Sequence, residues 1–263
     1  MADEAIPMEI VEWMRAREWG AHHDEWHFVR RWDFWRVLAA QGNTAAAEMV
    51  EYAEQQGWQR AEIQEGEAGN GLEFLSMHRA MLILLLRNFP QHMHFFRGWA
   101  RPPLDPRDVE DPVTDGSEFD SNRAAALLRI EAPGEPFASE DDFGMFVETN
   151  LDPVADDPLH RHEDPRRGIH NYLHNRWTDE NSPINLGDPK VNLENARFWK
   201  LHGWIDHMWW RFRRANGLSD TDATYKAMID HYVAMMNEPG HHHLHGGHHA
   251  APRPAGFAHS FVE

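Results

Sequence analysis

Two histidine pairs at helical spacing, each followed by a lone histidine on a strongly apolar helix, constrain this chain more than any other feature. In His22-His23-Asp24-Glu25-Trp26-His27 the imidazoles of His23 and His27 stand four residues apart, and the apolar stretch 72–89 then carries His78. The pattern returns downstream: Ile169-His170-Asn171-Tyr172-Leu173-His174 holds a second pair, and the aromatic stretch 197–210 carries His202. Residues i and i+4 of a helix share one face, their Cβ atoms about 5–6 Å apart. Two imidazoles placed so can converge on one ion, and a third from a facing helix completes a three-nitrogen site. Pair, single, pair, single is the order that a binuclear site between facing helices of a bundle requires.

The rest of the chain agrees with a helical frame. Apolar residues recur at three- and four-residue steps over 7–19, 22–41, 44–55, 72–89, 121–130, 193–216 and 219–236, and no alternating strand pattern of useful length appears. Pro7, Thr44, Ser139, Pro165 and Ser219 read as helix starts, and Gly42, Pro90 and Gly217 as stops. Residues 58–63 read as one more helical segment, and 91–99 as a short aromatic one. Stretches 101–120, 151–165 and 178–192 read as irregular loops. The expected fold is all-α: a helical bundle whose central four-helix core holds the histidines, formed by residues 1–239. Residues 240–263, rich in Gly, Pro and His, read as a flexible tail. Its run His241-His242-His243-Leu244-His245 reads either as a segment that recruits the site's metal or as one with adventitious metal affinity, and its aromatic tip, 257–261, as a lid.

Composition narrows the chemistry. The 263 residues contain no cysteine, which excludes disulfides, thiolate zinc sites, iron–sulfur clusters and cysteine nucleophiles. A net charge of −18 argues against nucleic acid and anionic membranes as partners. No Sec-type signal peptide is evident, and the longest apolar run, 80–86, is too short to span a bilayer, so a cytoplasmic protein is expected.

Three other readings compete with a histidine-only site. A di-iron carboxylate centre needs Glu-x-x-His on two helices; Asp24-Glu25-Trp26-His27 is the nearest match and has no counterpart near His170 or His202. A mononuclear zinc hydrolase needs an acid beside the ligands, and no His-Glu-x-x-His is present. A helical protein with ordinary core histidines explains each lone histidine singly, but not the repeated order.

The residues of these stretches carry a resemblance. Phe198-Trp199-Lys200-Leu201-His202-Gly203-Trp204-Ile205-Asp206 is similar to the second-copper signature of the type 3 copper proteins. His170-Asn171-Tyr172-Leu173-His174 resembles the second-site pair of tyrosinases. Phe74-Leu75-Ser76-Met77-His78-Arg79 resembles the segment around the third ligand of the first site. The His22–His27 stretch resembles the histidine-rich helix of arthropod haemocyanins and prophenoloxidases. The resemblance implies two copper ions, one held by His23, His27 and His78 and the other by His170, His174 and His202. It implies an oxidoreductase that binds O2 and hydroxylates phenols or oxidises catechols to quinones. The alternative it leaves is a haemocyanin-like O2-binding protein without catalysis. It further implies that Asn171, with an upstream glutamate for which Glu163 is the candidate, holds a water that deprotonates the phenol, and that Asp206 orients an imidazole. A small phenolic substrate, a copper-delivery partner or a homo-oligomer are the partners expected.

Overall fold

In the computed structural model the described residues are 5–104, 119–132, 137–178 and 182–238. They form ten α-helices: α1 (Met8–Arg15), α2 (Trp19–Arg30), α3 (Trp32–Ala40), α4 (Thr44–Gln55), α5 (Asn70–Asn88), α6 (Ser121–Glu131), α7 (Glu140–Glu148), α8 (Ile169–Asn175), α9 (Ala196–Ala215) and α10 (Ala223–Asn237). Short 3-10 turns cover Pro90–Phe95 and Asn192–Glu194. No strand occurs among the described residues, only isolated bridges such as Ala5 to Asn195. The fold is all-α, as the periodicity predicts. No described helix is long and apolar enough to cross a membrane.

α5 is the axis of the molecule. Phe74, Leu75, Met77, Ala80, Met81, Leu84 and Leu85 face all round it and are all buried, the mark of a helix enclosed by others. It packs against α7, α9 and α10. Against α7 the approach is backbone to backbone, because Gly71 and Gly144 lie so close that a Cβ on either would strike the other's main chain. α9 buries Phe198, Trp199, Leu201, Trp204, Ile205, Met208 and Trp209. Its first turn is fixed by Asn195, whose side-chain oxygen accepts from the Arg197 amide at 2.9 Å. A second, smaller core gathers Phe28, Trp32, Phe34 and Trp35 against Met49, Tyr52 and Trp58.

Several boundaries differ from those expected, each for a local reason. The helix read over 7–19 ends at Arg15, because Glu18 turns left-handed at φ 54° and the chain restarts at Trp19. Gly20 therefore lies inside α2, where its bare Cα meets the Lys190 carbonyl. The helix read over 22–41 is two helices broken at buried Arg31, whose guanidinium is drawn to Glu65. Residues 58–63 are not helical: the Ala61 amide donates to Val29 O and the Glu65 amide to Arg30 O, so this segment's hydrogen bonds run to α2. Asn43, not Thr44, caps α4, and Asp222, not Ser219, caps α10. α8 starts at Ile169 after Gly168, not at Pro165. Ser139 caps α7 as expected. The readings of 105–118 and of the tail, with its histidine run and aromatic tip, lie outside the described residues.

Candidate metal centre

Four helices bring the six histidines together. α2 supplies His23 and His27, α5 His78, α8 His170 and His174, and α9 His202. They form two groups, His23-His27-His78 and His170-His174-His202, and within each group one nitrogen from every ring lies within 4.8 Å of the others. All six side chains are buried, from 0 % exposed for His23 to 6 % for His27. Each group could hold a metal ion.

The two groups face each other. The His78 and His202 rings stack at 3.9 Å between centroids, only 7° from parallel, and the His27 and His170 rings stack at 6.4 Å. Two phenylalanines wall the cluster. Phe198 touches His23, His78, His174 and His202, and Phe74 touches His78, His170 and His202. Trp26 packs edge-on against His27 and His78.

The hydrogen bonds fix where the imidazole lone pairs point. His23 Nδ1 lies 2.8 Å from the Pro189 carbonyl, His78 Nδ1 2.9 Å from Phe74 O, and His174 Nδ1 2.7 Å from Leu186 O. His170 Nδ1 lies 2.9 Å from Asn171 Oδ1. Carbonyl oxygens only accept, so each of these Nδ1 atoms carries the proton and each Nε2 presents a lone pair. Those Nε2 atoms converge: His23 Nε2 is 3.1 Å from His27 Nε2 and 3.4 Å from His78 Nε2, and His174 Nε2 is 3.4 Å from His202 Nε2. His23 and His78 thus turn two lone pairs on each other with no proton to share. A cation between them would make that arrangement favourable. The Nδ1 of His202 is buried and has no hydrogen-bond partner among the described residues.

Protons are poor candidates for that cation. Burial pushes His23 down to about 4 and His174 to about 3, against opposing help from their backbone acceptors. Burial holds His27, His78, His170 and His202 well below the ordinary imidazole range too, with the neighbouring imidazoles adding to the effect. The sign for stability follows. Above about pH 6.5 the histidines are neutral folded or unfolded. Below it the unfolded chain takes up protons that the folded chain excludes, so stability falls until the buried rings protonate in turn. Metal-free protein is expected to lose stability between pH 6.5 and about 4, with roughly 3 kcal/mol from His23 alone. Urea midpoints at pH 7 and pH 4.5 measure this, and equal midpoints would contradict it.

Asp206 has a different task from the one expected. Its carboxylate pairs with Arg79, the residue next to His78, instead of with an imidazole. Arg79 also donates to the Tyr225 hydroxyl at 2.8 Å and lies 3.7 Å over the Trp209 ring. The reason is electrostatic: Arg79 is buried, and a buried guanidinium needs a counter-charge. The pair ties α5 beside His78 to α9 one turn past His202. Asn171 is buried on α8 and its oxygen is engaged by the ring of His170. Glu163 is exposed in the segment before α8, outside the buried cluster.

Three acceptors that orient the rings, Phe74 O, Leu186 O and Pro189 O, are main-chain atoms. No side-chain pattern marks them, and sequence reasoning had no means of finding them. No family model, curated protein or solved structure matches this chain.

Proposed function

We propose that this chain is a binuclear copper protein that binds O2 and oxidises small phenolic substrates, catechols first among them, to quinones. The observation that carries the reading is the pair of facing three-imidazole groups, in which four of the six rings tie their Nδ1 protons to outside acceptors and leave Nε2 with its lone pair. The donor set fits copper. It is all imidazole, without carboxylate or thiolate, which suits Cu, Zn, Fe or Ni and disfavours Mg, Ca and Mn. Charge narrows it further. Two divalent ions side by side repel about four times as strongly as two monovalent ones, and neither group brings a negative ligand to offset that. Paired neutral groups favour an ion stable as a monovalent cation. The likeness of segments 22–27, 74–79, 170–174 and 198–206 to type 3 copper proteins points the same way.

A bound copper pair would supply the dioxygen binding and the electron transfer of phenol oxidation. The protein's own part is to hold and shield. Leu186 O, Pro189 O, Phe74 O and Asn171 fix four imidazoles in one tautomer. Phe74, Phe198 and Trp26 form a dry aromatic wall. Hydroxylation of a monophenol asks for a base, because a phenol loses its proton only near pH ~10. Asn171 already accepts from His170, and Glu163 stands outside the cluster, so we place catechol oxidation ahead of monophenol hydroxylation.

The burial favours one second reading, a dioxygen-binding protein without catalysis: rings no more than 6 % exposed admit a diatomic gas more readily than a phenol. Oxygen uptake by the copper-loaded protein separates the two. Uptake that continues with added catechol, at a rate proportional to protein, supports the oxidase. A single reversible uptake that catechol leaves unchanged supports the carrier.

A further inference from the structure

The second-triad acceptor Leu186 O and the first-triad acceptor Pro189 O belong to one short segment, 186–189. His174 donates to Leu186 O at 2.7 Å and His23 to Pro189 O at 2.8 Å. One stretch of main chain therefore sets one ring in each triad.

The segment is itself pinned at both ends. The Leu186 amide donates to Trp177 O at 2.9 Å, just past α8. The buried Asn192 side chain donates through Nδ2 to Leu186 O at 3.2 Å, so that oxygen serves His174 and Asn192 together. The Asn195 side chain, which also caps α9, donates to Ile184 O at 2.9 Å. At the other end Lys190, the residue after Pro189, presses its carbonyl against the bare Cα of Gly20 on α2, three residues before His23. Inner turns stiffen what lies between: the Gly187 amide bonds Asn185 Oδ1 at 2.8 Å and the Lys190 amide bonds Asp188 Oδ1 at 3.0 Å.

We infer that segment 186–189 is a shared strap that positions both triads at once, with Asn192 and Gly20 as positioning residues that touch neither ion nor substrate. The inference rests on the metal-binding reading above. The other orienting contacts are private to one triad: Phe74 O serves His78 in the first, and Asn171 serves His170 in the second. The difference between shared and private supports gives the test. A change in a shared support weakens both triads, and a change in a private one weakens its own triad only. Outer contacts of this kind are worth about 10- to 100-fold in metal affinity.

The experiment uses the full chain and Cu⁺ in competition with a chromogenic chelator. Each triad is read separately, the second in a His27→Ala background and the first in a His170→Ala background. Gly20→Ala drives a Cβ into the Lys190 carbonyl, and Asn192→Ala removes the amide that steadies Leu186 O. Each is expected to weaken Cu⁺ about tenfold or more in both backgrounds. Asn171→Ala is expected to weaken the second triad by a similar factor and leave the first unchanged. Met49→Ala, in the smaller core away from the strap, controls for lost stability and is expected to leave both affinities unchanged. Far-ultraviolet circular dichroism confirms that each variant is folded, and Asn192→Ala carries the test if Gly20→Ala is not.

The strap is overturned if Asn192→Ala and the folded Gly20→Ala weaken one triad only or neither. It is equally overturned if Met49→Ala weakens both as much as they do. Absence of Cu⁺ binding by the unmodified chain would overturn the metal reading itself and the strap with it. Two bound Cu⁺ ions whose affinities ignore the strap would sink the strap alone.

Discussion

Replacement of His202 by alanine is expected to reduce metal binding from two ions per chain to one. His202 is the only ligand that α9 contributes, and its ring lies against His78 at 3.9 Å and Phe198 at 4.2 Å, so nothing else can reach into its place. With two of three nitrogens left, the second triad should bind Cu⁺ more than about a hundredfold more weakly, a larger loss than outer contacts cause. The first triad should keep its ion, because His23 and His78 are oriented by Pro189 O and Phe74 O and not by His202. Competition titration and metal analysis of the purified variant measure both effects. Two tightly held ions in His202→Ala would remove this residue from the ligand set. Among the described residues the Nδ1 of His202 lacks the orienting acceptor that His23, His78, His170 and His174 have, so the second ion is also expected to leave first under chelation.

The largest effect on stability is expected one turn past His27, where Arg31 and Glu65 form an ion pair with each side chain 4 % exposed. Removing one partner of such a pair strands the other charge and costs roughly 3–5 kcal/mol. Here a reserve lies beside it. Glu148, 2 % exposed on α7, is held well above the carboxylate range by burial first and by the charge of Glu65 second. In Glu65→Gln that repulsion is gone while Arg30 and Arg31 remain, and Glu148 can ionise in place of Glu65. Glu65→Gln should therefore fall at the low end of the range, about 3 kcal/mol. Glu148→Gln alone should cost about 1 kcal/mol, since burial and Glu65 already disfavour its charged form. The double variant should lose more than the two losses added, by at least about 1 kcal/mol, because both Glu65 and Glu148, whose charges act on Arg31, are then gone. Urea unfolding of the four proteins tests this, and strict additivity would show that Glu148 does not take over the charge.

The helices were legible from the sequence because their cause is local. α5 is apolar nearly all round, α9 has a wide apolar face, and the i, i+4 histidine pairs keep their spacing whatever the helix packs against. The grouping of the rings into two triads was legible for the same reason: four short stretches carried it. What the sequence hid depends on distant residues. The break at Arg31 answers to Glu65, and the irregular path of 58–63 to the carbonyls of α2. Asp206 seemed free to orient an imidazole until α5 brought buried Arg79 to it. The carbonyls of Leu186 and Pro189 carry no side-chain signature, although they decide which way His174 and His23 point. Nothing in the local pattern marks Gly20, and only the nearness of Lys190 explains why no side chain fits there.

The most direct test of the account is the metal content of the purified, copper-loaded chain together with its spectrum on exposure to O2. The facing triads predict two copper ions per chain and an intense near-ultraviolet absorption that appears when the reduced protein meets oxygen and disappears in His202→Ala. A single zinc, no metal at all, or two coppers whose spectrum is indifferent to oxygen would contradict it.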